Sequence, residues 1–124
     1  IGVDFYDNWP AHTNESAWDN DYSATQNGGP WGLGTWLAFA KSHGKKLSVP
    51  EWGINNDVAN QSSCGCGGDD AFYVNKMHDF FVTNAAEIAY EEYFNLTVAD
   101  GNYQFEIYPT SHNPNAAAAY KSGF

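Results

Sequence analysis

Three stretches of strand pattern are each followed by a stretch of helix pattern, and that alternation limits the fold more than any other feature of the chain. Residues 1–6 set Ile1, Val3 and Phe5 against Gly2, Asp4 and Tyr6, the two-residue period of a strand. Leu47 to Gly53 is a short apolar run between Lys45-Lys46 and a glycine, which reads as a buried strand with Pro50 acceptable only near its end. Residues 87–95 place Ile88, Tyr90 and Phe94 opposite Ala89, Glu91 and Tyr93, with Glu92 spoiling the apolar side. The first helix is opened by Pro30 and closed by Gly44, with Leu33, Trp36, Leu37 and Ala40 forming its stripe. Asp69 and Asp70 are expected to cap a second helix whose Tyr73, Val74, Met77, Phe80 and Phe81 face inward. Pro114 opens an alanine-rich terminal helix that carries Tyr120 and Phe124. Strand-then-helix alternation demands a parallel sheet, so the expectation is one α/β domain over residues 1–124, built from βα units 1–44, 45–84 and 85–124.

Loop lengths point to one end of that sheet. The strand-to-helix connections at 7–29, 54–68 and 96–113 are long, the last with room for a short strand at 103–108, whereas the returns at 44–46 and 83–86 are short. In parallel α/β architectures the ligand sits beyond the carboxyl ends of the strands. Tyr6, Glu51 and Tyr93 would converge there with Trp9 and Trp52 beside them. Aromatic residues make up 17% of the chain, more than a core of this size needs. Rings that stack on pyranose faces beside carboxylates and amides that take hydroxyls are the composition of a sugar cleft. A lone glutamate at a strand end is costly to desolvate unless it is hydrogen-bonded or used in chemistry, and a plain surface glutamate is the alternative reading of Glu51.

Charge and the remaining motifs exclude other classes. Fifteen acids against five lysines give a net charge of -10, which repels nucleic acid and anionic membrane surfaces. No apolar run is long enough to span a bilayer. Sequons at Asn14, Asn60 and Asn95 and the scarcity of cysteine suggest a secreted, extracellular glycoprotein. The chain opens at Ile1 in what reads as mid-protein, so residues upstream are expected. Cys64 and Cys66 cannot complete a zinc site alone and are expected as a local disulfide or as free thiols. Gly32 and Gly34 lack the third glycine and the preceding strand of a dinucleotide loop. The four histidines have no ligand spacing; His12 and His112 fall in the long loops, where exposure is the ordinary state. No metal or organic cofactor is expected.

Val3-Asp4-Phe5-Tyr6, Gly32-Leu33 to Gly44-Lys45, Val49-Pro50-Glu51-Trp52-Gly53, Gly67-Gly68-Asp69-Asp70 and Tyr93-Phe94-Asn95 to Ala119-Tyr120 together resemble the last three βα units of a clan A glycoside hydrolase, closest to family 26 and its relatives. The resemblance covers nearly the whole chain and implies the C-terminal part of a (β/α)8 barrel, strands six to eight. It implies Glu51 as the catalytic nucleophile and Tyr6 as the tyrosine that hydrogen-bonds it. Trp9, Trp52, Tyr93 and Asn95 would contact substrate, a β-linked polysaccharide or oligosaccharide of mannan or β-glucan type. The family's acid/base glutamate belongs to strand four and has no counterpart here, so the remaining barrel strands are expected from the parent chain or another chain. A retaining endo-glycosidase is therefore the leading function, with a non-catalytic carbohydrate-binding or inactive structural fragment as the alternative.

Overall fold

The computed structural model describes residues 1–61, 63–96, 103–109 and 112–124. Ser62 and Thr97, the third residues of two sequons, and part of the 96–113 loop lie outside these. The elements, in chain order, are β1 (Phe5–Tyr6), α1 (Glu15–Tyr22), β2 (Thr25–Gln26), β3 (Gly29–Pro30), α2 (Leu33–Ser42), β4 (Leu47–Gly53), β5 (Asn56–Asp57), α3 (Ala71–Thr83), β6 (Ile88–Tyr93), β7 (Tyr103–Gln104) and α4 (Pro114–Gly123). The molecule is a mixed α/β structure around a three-stranded parallel sheet of order β1-β4-β6, in which strand neighbours follow chain order as the alternation requires.

The first strand is shorter than its pattern predicts. Only Phe5 and Tyr6 form a ladder with β4, opposite Trp52 and Gly53, while Gly2 makes an isolated parallel bridge to Ser48. The loop after it is not structureless. Asn14 caps α1 by accepting the Ala17 amide at 3.1 Å, and Asn27-Gly28, both at positive φ, turn the small β2–β3 hairpin.

Pro30 therefore belongs to β3, and α2 starts three residues later, with Gly32 as its N-cap. Gly32 and Gly34 have a packing role: a Cβ on Gly32 would come within 1.7 Å of the Asp21 carbonyl oxygen, and one on Gly34 within 2.3 Å of the Tyr22 ring. The end of α1 can lie against the first turn of α2 only because both positions lack a side chain. Gly44, at φ +62, closes the same helix as its pattern predicts.

The adjacent acids Asp69 and Asp70 divide between two helices instead of sharing one. Asp70 is the N-cap of α3 and accepts the Phe72 and Tyr73 amides at 2.8 and 3.2 Å. Asp69 reaches across to α4, whose own N-cap Asn113 makes no capping bond, and accepts the Asn115 and Ala116 amides at 3.0 and 2.8 Å. Asn113 is instead buried, donating to the Gln104 and Glu106 carbonyls and accepting from Asn56.

The core lies between the sheet and the helices. Leu47 and Val49 of β4 share one buried cluster with Leu33 and Leu37 of α2 and Val74 and Met77 of α3, in which Trp52 packs against Tyr73 and Phe81. β5 and β7 form a separate antiparallel pair above this core.

Candidate functional site

The central strand delivers its side chains in an order that simple alternation does not predict. Continuing the inward set Leu47, Val49 would bury residue 51 and expose residue 52. The observed burial is the reverse: Glu51 is exposed and Trp52 is fully buried. The pairing of β4 with β6 shifts register between Val49 and Trp52, where Pro50 supplies no backbone N–H to the ladder. An irregularity of this kind re-aims the residues after it, which also explains how a proline is tolerated in the middle strand of a sheet. The outcome is a carboxylate turned out at the carboxyl end of β4.

Tyr6 ends the neighbouring strand opposite Gly53, and its hydroxyl donates a 2.9 Å hydrogen bond to Glu51 Oε2. Phe94 and Phe105 pack edge-on against the Tyr6 ring with centroids 5.9 and 5.4 Å away, holding it in place. Burial, followed by the hydrogen bond to Glu51 and that group's charge, raises the Tyr6 pKa, so the hydroxyl remains a proton donor. The pair joins two residues 45 apart in sequence.

The other expected site residues separate into different roles. Trp52, expected beside the sugar, is a core residue. Its ring lies edge-on to Tyr93 at 4.9 Å and near Phe81 and Phe124, and its indole N–H donates to Glu91 Oε2. A ligand cannot reach it while the core is intact. Tyr93 is half-buried; its hydroxyl donates to the Phe105 carbonyl at 2.7 Å, and burial raises its pKa. Asn95 is an exposed loop clamp, donating to the Tyr108 carbonyl and accepting the Ile107 and Tyr108 amides. Its carbonyl oxygen thus accepts two backbone amides while its amide nitrogen donates to a third group.

Trp9 does stand where a ligand could meet it, 70% exposed. Its backbone adopts φ +52, uncommon for a bulky residue, and its amide donates to the Gly65 carbonyl at 3.1 Å. The ring rests on Gly65, where an added Cβ would approach to 3.3 Å. Gly65 lies within the Cys64–Cys66 disulfide, so the bridged turn serves as a prop for the indole. A groove of about 270 Å³ runs from Tyr6 past Asp4 and Asn8 to Trp9, Trp31 and Trp36. A larger cavity of about 700 Å³ lies elsewhere, between β6 and α4, lined by Glu91, Tyr93, Tyr108 and Tyr120 among others. Neither is lined by Glu51.

One cluster was invisible in the sequence. His12, expected as an exposed loop residue, is buried between two carboxylates, with Nδ1 3.2 Å from Asp7 Oδ1 and Nε2 3.0 Å from Asp21 Oδ2. The His12 amide also donates to Asp7 Oδ1 at 2.6 Å. Burial alone would lower the imidazole pKa, but the bonds to Asp21 and Asp7 together outweigh it and raise the value to about 9. The ring is therefore a buried cation at neutral pH. Asn14, the first residue of a sequon, caps the helix that follows His12 and belongs to the ordered part of residues 7–29.

Among the described residues no group of three or more histidines, cysteines and carboxylates is placed to hold a metal ion, and no helix is long and apolar enough to cross a membrane. Comparison with protein-family models, curated proteins and solved structures finds no match.

Proposed function

We propose that the chain carries the nucleophile of a retaining glycoside hydrolase acting on a β-linked polysaccharide of mannan or β-glucan type, and that its three βα units correspond to the C-terminal part of a (β/α)8 barrel. The observation that carries the proposal is the Tyr6–Glu51 hydrogen bond at the carboxyl ends of adjacent parallel strands, with the carboxylate facing solvent. A nucleophilic carboxylate needs one oxygen free to attack and gains from a neutral donor that fixes the other. Tyr6 supplies that donor to Oε2 and leaves Oε1 available. Trp9 supplies a sugar-stacking face on the same side.

Retention also requires an acid/base carboxyl roughly 5–5.5 Å from the nucleophile. Glu91 is engaged by the Trp52 indole, and the resemblance assigns the acid to a strand with no counterpart among these residues. Further barrel strands, from the parent chain or another chain, would provide it at the open sheet edges. The secreted, glycosylated character suggested by acidity and sequons belongs to the same proposal.

A 2-fluoro glycoside with a good leaving group tests this on the assembled enzyme. The expected result is a covalent adduct mapped to Glu51 and a Glu51→Gln enzyme slowed by several orders of magnitude with glycan affinity nearly unchanged. A label on another residue, or an undiminished Glu51→Gln rate, overturns the assignment. Glycan binding with no adduct would favour the carbohydrate-binding alternative.

A further inference from the structure

The buried acids around His12 do not balance as ionised groups. Asp7 is fully buried, and its Oδ1 receives the His12 amide and ring. Its Oδ2 has no donor, and it is pressed so close to Gly67 that a Cβ there would fall 1.6 Å away. Asp70, 8% exposed at the start of α3, uses Oδ1 for the Phe72 and Tyr73 amides and likewise leaves Oδ2 buried without a donor. The charge of Asp7 acts on Asp70, which places the two carboxyl groups near each other. Two ionised carboxylates side by side offer acceptors only, whereas one shared proton satisfies both orphaned oxygens.

We propose that Asp70 holds a proton that it donates to Asp7, and that this acid–carboxylate pair, completed by His12 and Asp21, latches the end of β1 to the start of α3 and thereby positions Tyr6 and Trp9. The backbone around Asp7 is built for such a role. Its N–H donates to the Gly53 carbonyl at 3.0 Å, its carbonyl accepts the Gly67 amide at 3.1 Å, and Tyr6 and Asn8-Trp9 flank it directly. Tyr73 of α3 sends its hydroxyl to the Phe5 carbonyl at 2.7 Å, so the latch has a second bond on the same strand. The charged and titratable groups facing the pair are His12 from the loop, Asp21 from α1, Tyr73 from α3 and Tyr93 from β6, with Asp69 capping α4.

Burial and the charge of Asp7 push the Asp70 carboxyl up to about 6, against the two amide bonds that would lower it. A proton held in this way is present at mildly acidic pH and leaves as the pH rises through about 6. Two like charges then face each other with little water, and the latch weakens. The positional claim for catalysis rests on the proposed role of Glu51; the proton sharing does not.

Carboxyl-carbon NMR of the selectively labelled chain, titrated from pH 3 to 8, reads the pair directly. The expected result is one step near pH 6 at the Asp70 carboxyl carbon, with the Tyr6 ring resonances moving in the same step. Asp70→Asn keeps the helix cap and replaces the shared proton with a permanent amide donor, so the step should vanish and Tyr6 should hold its low-pH position throughout. Asp70→Ser keeps a cap but cannot reach Asp7, so the step should vanish while Tyr6 departs from the low-pH position that Asp70→Asn holds. Titration of Asp70 below pH 4, a pH 6 step that survives in Asp70→Asn, or Tyr6 resonances that ignore the step would each overturn the proposal. None of these readouts depends on turnover, so failure of the glycosidase reading would be seen separately, by the absence of a trapped adduct.

Discussion

At the scale of single residues, neighbouring positions in the chain have opposite duties. Tyr6→Phe removes one hydroxyl and leaves the aromatic cage, so stability should fall by only about 1 kcal/mol while, on the proposed glycosidase function, turnover falls by about 10–100-fold. Chemical denaturation and steady-state kinetics on the same variant separate the two effects. Trp9→Ala and Trp52→Ala should differ in the reverse sense. The exposed indole is dispensable for folding and its loss should weaken glycan binding, whereas removing the buried one should cost about 3–5 kcal/mol in a denaturation curve. The glutamate and the tyrosine were legible in sequence because both end strands, and strand ends can be read from pattern. The place of Trp52 was not, because the register shift after Val49 depends on how β6 pairs and leaves only Pro50 as a trace. His12 was illegible for a stronger reason: its partners come from the end of one strand and the end of a helix, and no local pattern links Asp7 with Asp21.

At the scale of elements, helices α2, α3 and α4 could be placed from stripes and punctuation, since Gly44, Asp70 and Pro114 stand at their ends as expected. Helix α1 escaped notice because its buried face amounts to Trp18 and Asp21, too little to make a period. The role of Asp69 could not be assigned from sequence either, because the amides it caps lie 46 and 47 residues away. Asp69→Ala should lower stability by about 1 kcal/mol, with hydrogen exchange accelerating first in the opening turn of α4 and not in α3. Asp70→Ala should do the converse, loosening α3 and the β1 end together. Equal exchange changes in both helices for both variants would show that the caps are not divided as the hydrogen bonds indicate.

At the scale of the whole molecule, two buried groups tie stability to pH in the same direction. The Asp70 pKa is raised on folding, so its stabilisation is complete below the unfolded value near 4 and is lost as pH rises through about 6. His12 is also raised, so its contribution is complete below about 6.5 and is lost as pH climbs through about 9. The thermal midpoint should therefore decline in two steps as pH rises, the first between about 4 and 6 and the second between about 6.5 and 9, and His12→Gln should abolish the upper one in calorimetry across pH. The accessible surface is 6518 Å², close to the roughly 6,600 Å² typical of a folded monomer of this mass. Among the described residues, β1 and β6 each have one edge without a strand partner. Self-association that grows with concentration in analytical ultracentrifugation is the expected result, and a strictly monomeric species would mean that local features blunt those edges. The split between Asp69 and Asp70 also bears on how the chain can be re-engineered. One peptide bond sets the phase of two helices, so a single residue inserted there would throw α3 and α4 out of step with each other. A new pair of termini opened at Asn27-Gly28, on an exposed hairpin tip, would disturb neither.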